Sequence, residues 1–355
     1  MQRLSNRKRW ETKEVKLCVL SPLVVRRMST FDHVEMRIPS LKGMLRFWWR
    51  ALQGHQTSVE AIREREGALF GAAGTGKSPM RMALVCTTPT VPVGASQVFL
   101  LPHKEKGKTA YFPPFRTPFV VRVTAPTGQL EEYLHILRTA LFLGGLGVRG
   151  RRGFGSLHLD PPPRGLEEIC DWLNRASGTS EASDPIFAVE TAVLEVKDAV
   201  RNEYRQVTVK RIVLRKENPA LPFPYVREVY LGDPLPLDPQ AVQKWLARIS
   251  YLSSDHNSLY TGYTAALAGA DPDLQNLMEK LKKQKQARLA SPLVTTLALV
   301  ADRPDRKTLR PVVVRLKSVF PPAVKDFLAQ HRKLKMAQDT TKAFILDVLS
   351  GGIRR

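Results

Sequence analysis

The chain has 355 residues, and its 55 Lys and Arg against 33 Asp and Glu give a formal net charge of +22. Hydrophobic residues make up 43%, enough for packed cores, which excludes a mostly disordered basic protein. There is no apolar run near the roughly 20 residues of a membrane span, no secretory pattern after Met1, and the three cysteines (Cys18, Cys86, Cys170) lie too far apart for a disulfide framework or a paired-cysteine zinc site. The expectation is a cytoplasmic protein of two domains, with no membrane partner, no cofactor and no metal, that faces a polyanion.

In chain order, Val15–Leu20 alternates as a strand, and a loop follows to Ile38-Pro39. Ser40 is placed as an N-cap, with a helix over Leu41–Gln53 stopped at Gly54. Ser58–Phe70 reads as a second helix, Gly71–Pro79 as a loop and Arg81–Cys86 as a strand. The proline-rich stretch 87–118 suggests a hairpin with an irregular insertion. Pro118–Val123 is a strand, Gly128–Leu143 a helix, Gly144–Gly155 a glycine-rich loop and Ser156–Leu159 a strand. This order predicts a ferredoxin-like, RRM-like unit. A short helix (Leu166–Asn174) leads to the polar run Ser177–Pro185, the expected linker, so the domains are set at 1–180 and 181–355. The second half begins with a strand at Ile186–Val196. It continues with helices at Pro239–Leu252 and Leu274–Leu289, strands near Val294–Ala301 and Val312–Leu316, and a C-terminal helical segment. The fold class is α+β, two ferredoxin-like domains with insertions.

Two nucleotide fingerprints stand in the wrong context. Gly71-Ala-Ala-Gly-Thr-Gly-Lys77-Ser78 fits the phosphate-loop pattern, and a P-loop ATPase reading would rest on Lys77. That mechanism needs a strand entering and a helix leaving; here the predicted order is reversed. Gly145-Leu-Gly-Val-Arg-Gly150 fits GxGxxG, but it too follows a helix and precedes a strand.

Two basic features remain. In the first predicted helix Lys42, Arg46 and Arg50 recur at i, i+4, i+8, while Leu41, Leu45, Trp48 and Leu52 share another face. The like charges repel one another, and a polyanion alongside would relieve that. The glycine-rich loop interleaves Arg149, Arg151 and Arg152 with Gly150 and Gly153, a pattern that allows close backbone approach and offers guanidinium forks to phosphates. Phe154 is placed as a ring that could stack on a base.

Arg37-Ile-Pro-Ser40-Leu-Lys42-Gly-Met-Leu-Arg46-Phe-Trp-Trp-Arg50 and Gly144–Ser156, about 100 residues apart, resemble the basic helix and the C-terminal glycine-rich loop of the RAMP (repeat-associated mysterious protein) superfamily of CRISPR subunits. The Phe-Trp-Trp-Arg form, with Leu69-Phe70-Gly71 after it, resembles the first-subunit family of type III-B Cmr effector complexes. The resemblance covers the first 160 residues; beyond them it rests on length and on Ala290-Ser-Pro-Leu293. It implies a non-catalytic RNA-binding subunit that works with other RAMP subunits, with the 3′ region of a CRISPR RNA and with target RNA. The implied RNA-facing residues are Arg37, Ser40, Lys42, Arg46, Arg50, Arg149, Gly150, Arg151, Arg152, Gly153 and Phe154. The alternative is a RAMP endoribonuclease, for which His33 and Asp32, in the loop before the basic helix, are the catalytic candidates.

Overall fold

The computed structural model describes residues 9–23, 36–86, 91–94, 109–112, 115–178, 184–197, 204–255, 292–303, 305–317, 319 and 337–350. Asp32, His33 and the helix expected at 274–289 lie outside them.

The N-terminal unit runs β1 (Trp10–Val19), α1 (Ile38–Ala51), α2 (Val59–Phe70), the two-residue strands β2 (Gly71–Ala72) and β3 (Gly76–Lys77), and β4 (Arg81–Cys86). A hairpin of β5 (Val91–Gly94) and β6 (Thr109–Phe112) follows, then β7 (Pro118–Pro126), α3 (Leu130–Leu143) and β8 (Leu157–Leu159). The four main strands form an antiparallel sheet in the order β4-β7-β1-β8. The first and third strands are therefore central, flanked by the second and fourth, which is the split βαβ arrangement of a ferredoxin-like fold. Alternation does the sorting: Val15, Leu17 and Val19 of β1 and Phe119, Val121 and Val123 of β7 are buried on the helix side. Glu14 and Lys16 face out. On the outer surface the Arg81 guanidinium lies 4.5 Å from the centre of the exposed Trp10 ring.

After α4 (Leu166–Ser177), a second sheet is built from β9 (Phe187–Lys197), β10 (Tyr204–Leu214), β11 (Val226–Leu231), β12 (Leu293–Arg303) and β13 (Arg306–Leu316). Its order is β12-β13-β11-β10-β9, all antiparallel. Helices α5 (Pro239–Asp255) and α6 (Ala337–Leu349) complete the described chain. The α+β class stands, with one large antiparallel sheet in each half and two small two-stranded ones in the first.

The layers interlock. Helix α3 packs on β1, β7 and β8 and also on β12 and β13, while α4 packs on α3, β9 and β10. One apolar core therefore runs from Leu17 and Val121 through Trp48, Leu137 and Leu173 to Val226 and Val314. A second core, between the far side of the second sheet and α5 and α6, holds Trp245, Leu246, Leu297, Val313 and Phe344. The junction between the halves is packed: the buried Asn174 side chain accepts from the Phe187 N–H at 2.9 Å and donates to the Phe187 carbonyl at 3.0 Å. It thus serves both backbone groups of the residue that opens β9. Replacing Asn174 by Ala strands the Phe187 N–H and leaves its carbonyl with only the Cys170 thiol, at 3.2 Å, and lowers stability by about 1–3 kcal/mol in denaturant unfolding; a loss near zero would mean that the junction is loose.

Candidate nucleic-acid interface

Helix α1 begins earlier than its sequence suggests. Arg37 is the N-cap residue, in extended conformation, and Pro39 sits in the first turn, where a missing N–H costs nothing. Ser40 is therefore inside the helix and not its cap. Leu41, Leu45, Trp48 and Trp49 are buried.

Opposite α1 stands the glycine-rich loop after α3. Gly144 lies flat against Trp48, where a Cβ would come within 2.6 Å of the indole. The loop is closed by its own backbone: Gly145 N–H donates to Gly150 O at 3.1 Å, and Leu146 N–H to Gly155 O at 2.9 Å. Gly155 has φ +66, and a Cβ there would fall 1.8 Å from the Leu146 carbonyl, so no other residue fits. Arg149 holds φ 59, a left-handed conformation that is uncommon for a side-chain-bearing residue.

The loop's second half joins the second sheet. Thr295 N–H donates to Arg151 O at 3.1 Å and Gly153 N–H to Thr295 O at 2.8 Å, which makes Arg152 and Thr295 a parallel bridge. Ser156 Oγ and Thr296 Oγ1 are 2.9 Å apart, and Leu297 N–H donates to Ser156 Oγ at 3.0 Å. At Gly153 (φ +84) a Cβ would come within 2.4 Å of Trp245.

Between helix and loop lies a pocket of about 430 Å³, bounded on the helix by Ser40, Met44, Phe47 and Trp48 and on the loop by Arg149, Gly150 and Arg151. The Arg151 guanidinium lies 5.2 Å from the Phe47 ring centre. Burial lowers the Arg151 pKa. Arg152 is deeper: burial, with the charges of Arg149 and Arg151 adding, pushes it down to about 10. It stays cationic at neutral pH. Three guanidiniums thus crowd one turn, and their mutual repulsion favours a polyanion at its surface.

Two expectations need correction. Phe154 has 0% exposure and belongs to the second core with Trp245 and Leu246. No base can stack on it. Its backbone is pulled under the loop by the Thr295 bridge, which no sequence spacing reveals. The basic stripe of α1, expected to need a polyanion to relieve its like charges, already has partners within the chain. Lys42 Nζ donates to Met80 O at 3.1 Å. Arg46 and Arg50 both bond the Glu66 carboxylate of α2, Arg50 Nε donating to Oε2 at 2.6 Å, and Arg46 Nη2 also donates to Gly71 O at 3.0 Å. The like charges are relieved by a buried carboxylate. Further residues of the site, Met44, Phe47, Trp48 and Thr295 among them, were not among the expected ones. Met44 and Phe47 lie one turn from Ser40 and in the Phe-Trp-Trp motif. Thr295 lies 144 positions from Arg151, with no sequence signal.

Burial alone would raise the Glu66 pKa, but hydrogen bonds from Arg50 and Arg46 outweigh it and hold the carboxyl below the usual range. The phosphate-loop match is the turn between α2 and β4: Gly71 and Ala72 pair with Lys77 and Gly76, and β4 follows. A helix enters and a strand leaves, as its context predicts. GxGxxG likewise lies between α3 and β8.

Residues 16–158 match the model of the RAMP superfamily. That match covers less than half of the chain. Both walls of the pocket that come from the first half, α1 and the glycine-rich loop, fall inside the matched segment. Among curated proteins the chain is similar to the CRISPR system Cmr subunit Cmr1-1 of Pyrococcus furiosus, 30% identical over 196 residues. That match covers 49% of this chain and 56% of the relative, so the chain spans little more than half the relative's length. Among solved structures, one from the type III-B Cmr-beta complex bound to cognate target RNA and AMPPnP has a TM-score of 0.51 at 13% identity, covering 94% of this chain and 99% of that one. It shares the fold. The apo structure of Cmr1 from Pyrococcus furiosus aligns over 96% of this chain and 99% of its own, at 16% identity and a TM-score of 0.49.

Two outcomes follow for the N-terminal unit. Phe154→Ala empties a core position and costs about 3–5 kcal/mol in thermal or denaturant unfolding; a ring placed for stacking would cost almost nothing. Glu66 has a depressed folded pKa, so its contribution is complete above the unfolded value of about 4.3 and is lost as pH falls through the lower folded value. Glu66→Gln costs about 2 kcal/mol at pH 7, and its penalty shrinks as the pH falls below that of the unfolded carboxyl; a penalty unchanged down to pH 2 would contradict the brace.

Proposed function

We propose that the chain is a non-catalytic RNA-binding subunit of a type III-B CRISPR effector, contacting the 3′ region of the CRISPR RNA and the target RNA alongside other RAMP subunits. One observation carries the reading: the arginine-bearing loop is held by Thr295 against the half-exposed Phe47 side of α1. Phosphates would lie against Arg149 and Arg151, with Gly150 leaving room for the backbone, and Phe47 offers the ring that Phe154 does not. Arg152 acts from below, through its charge. Similarity to a Cmr1-1 subunit supports the assembly, and a fold neighbour taken from a complex with cognate target RNA supports the ligand. Among the described residues no helix is long and apolar enough to cross a membrane.

Contacts of this kind go to the backbone and carry little sequence information. Single-stranded RNA should therefore bind with a steep salt dependence and little preference for sequence, and should be recovered uncut. Arg149→Ala combined with Arg151→Ala lowers the log–log salt slope by about 1.4, given roughly 0.7 for each of two neutralised phosphates on single strands. Lys42→Ala leaves the slope unchanged. Anisotropy titrations at several salt concentrations check this; a flat response, or a Lys42 effect equal to that of the arginine pair, would sink it.

A further inference from the structure

The second sheet ends on β9, and the hydrogen-bond alternation of that strand fixes what its outer edge offers. Arg215 N–H donates to Ile186 O at 2.8 Å, and the register then runs from Phe187–Leu214 to Lys197–Tyr204 without a shift. Ile186, Ala188 and the residues that alternate with them therefore bond inward to β10. The intervening residues turn N–H and C=O outward, and at Phe187 that outward pair is taken by the Asn174 side chain of α4. Beyond it come Val189, Thr191, Val193, Glu195 and Lys197. Their outward backbone groups have no partner among the described residues. Edge strands are usually blunted by a proline or a bulge; this stretch, Val-Glu-Thr-Ala-Val-Leu-Glu-Val-Lys, has neither. Val193, at its middle, is 57% exposed.

The stretch is complementary to itself. A two-fold axis at Val193 sets two copies antiparallel, Val193 facing Val193, Thr191 facing Glu195 and Val189 facing Lys197. Each facing pair exchanges two hydrogen bonds, and all five outward residues of each copy are used. Asn174 closes the edge at Phe187, so pairing begins at Val189 and, by the two-fold, ends at Lys197. The charges fit as well. No carboxylate faces a carboxylate, and Glu195 of one copy enters the row that holds Thr191 and Lys210 of the other, on the same face of the sheet. The exposed β-branched side chain at the axis packs against its twin.

We propose that two copies of the chain pair edge to edge through β9 about this axis, joining their five-stranded sheets into one. The test uses the full chain at about 0.15 M salt, which screens charges more than about 8 Å apart. Sedimentation at about 100 µM, where small interfaces associate, should give twice the 39.9 kDa chain mass. Val193→Pro removes only an outward N–H, which an edge strand tolerates. It should unfold at the parent's midpoint and dimerise about 100-fold more weakly, since two bonds are lost at about tenfold each. Val193→Cys, on the axis, should form an intermolecular disulfide with oxidised glutathione. Thr191→Cys lies too far from its own copy and should stay at the level of the parent chain with its three native cysteines. The cysteine pair decides the matter even if the proline variant fails to fold. A monomeric parent overturns the proposal, and so does a Thr191→Cys variant that crosslinks as well as Val193→Cys.

Discussion

The exchange of backbone hydrogen bonds between Arg151–Gly153 and Thr295 is the constraint on which the rest of the molecule depends. A glycine-rich loop at the end of a ferredoxin-like unit would ordinarily be a free surface turn. Here its second half is built into the neighbouring sheet, and the next side chain, Phe154, fills the core below that sheet. Ser156 extends the same seam through Thr296 and Leu297. The loop is therefore pinned at both ends, by α3 before it and β12 beneath it. Its flexible residues are used for tight backbone approach and not for motion.

The same constraint sorts the charge. Arg152 is drawn inward with the bridge, whereas Arg149 and Arg151 stay at the pocket facing Phe47. On the opposite flank of α1, Arg46 and Arg50 are held by Glu66. A formal +22 therefore does not make a uniform basic coat. Part of it organises structure, and part is presented at the pocket beside Phe47.

Much of the first half was legible in the sequence because its elements carry clean periodicity. Arg81–Cys86 is a strand with the predicted bounds, and α2 begins next to the predicted start at Ser58, whose hydroxyl accepts from Ala61 N–H at 3.2 Å. The reversed order around Gly71–Ser78 was enough to set the phosphate-loop match aside. Strands β10 and β11 were missed. Their alternation is broken by Lys210-Arg211 and by Arg227-Glu228, and these charges are satisfied across the sheet, Arg211 and Arg315 both bonding Glu228. The facing of the basic stripe was illegible too, because Glu66 neutralises it from another helix. Phe154 looked like a surface aromatic among glycines; only distant parts of the chain, such as Trp245 and Leu246, place it in a core.

The most direct test of the central claim is photo-crosslinking of 4-thiouridine-containing single-stranded RNA to the full chain, with the crosslinked peptides mapped by mass spectrometry. Crosslinks should concentrate on Ser40–Trp48 and Gly147–Arg151, the two walls of the pocket that the Thr295 bridge holds in place. Crosslinks confined to the outer face of the first sheet, around Trp10 and Arg81, would contradict the account.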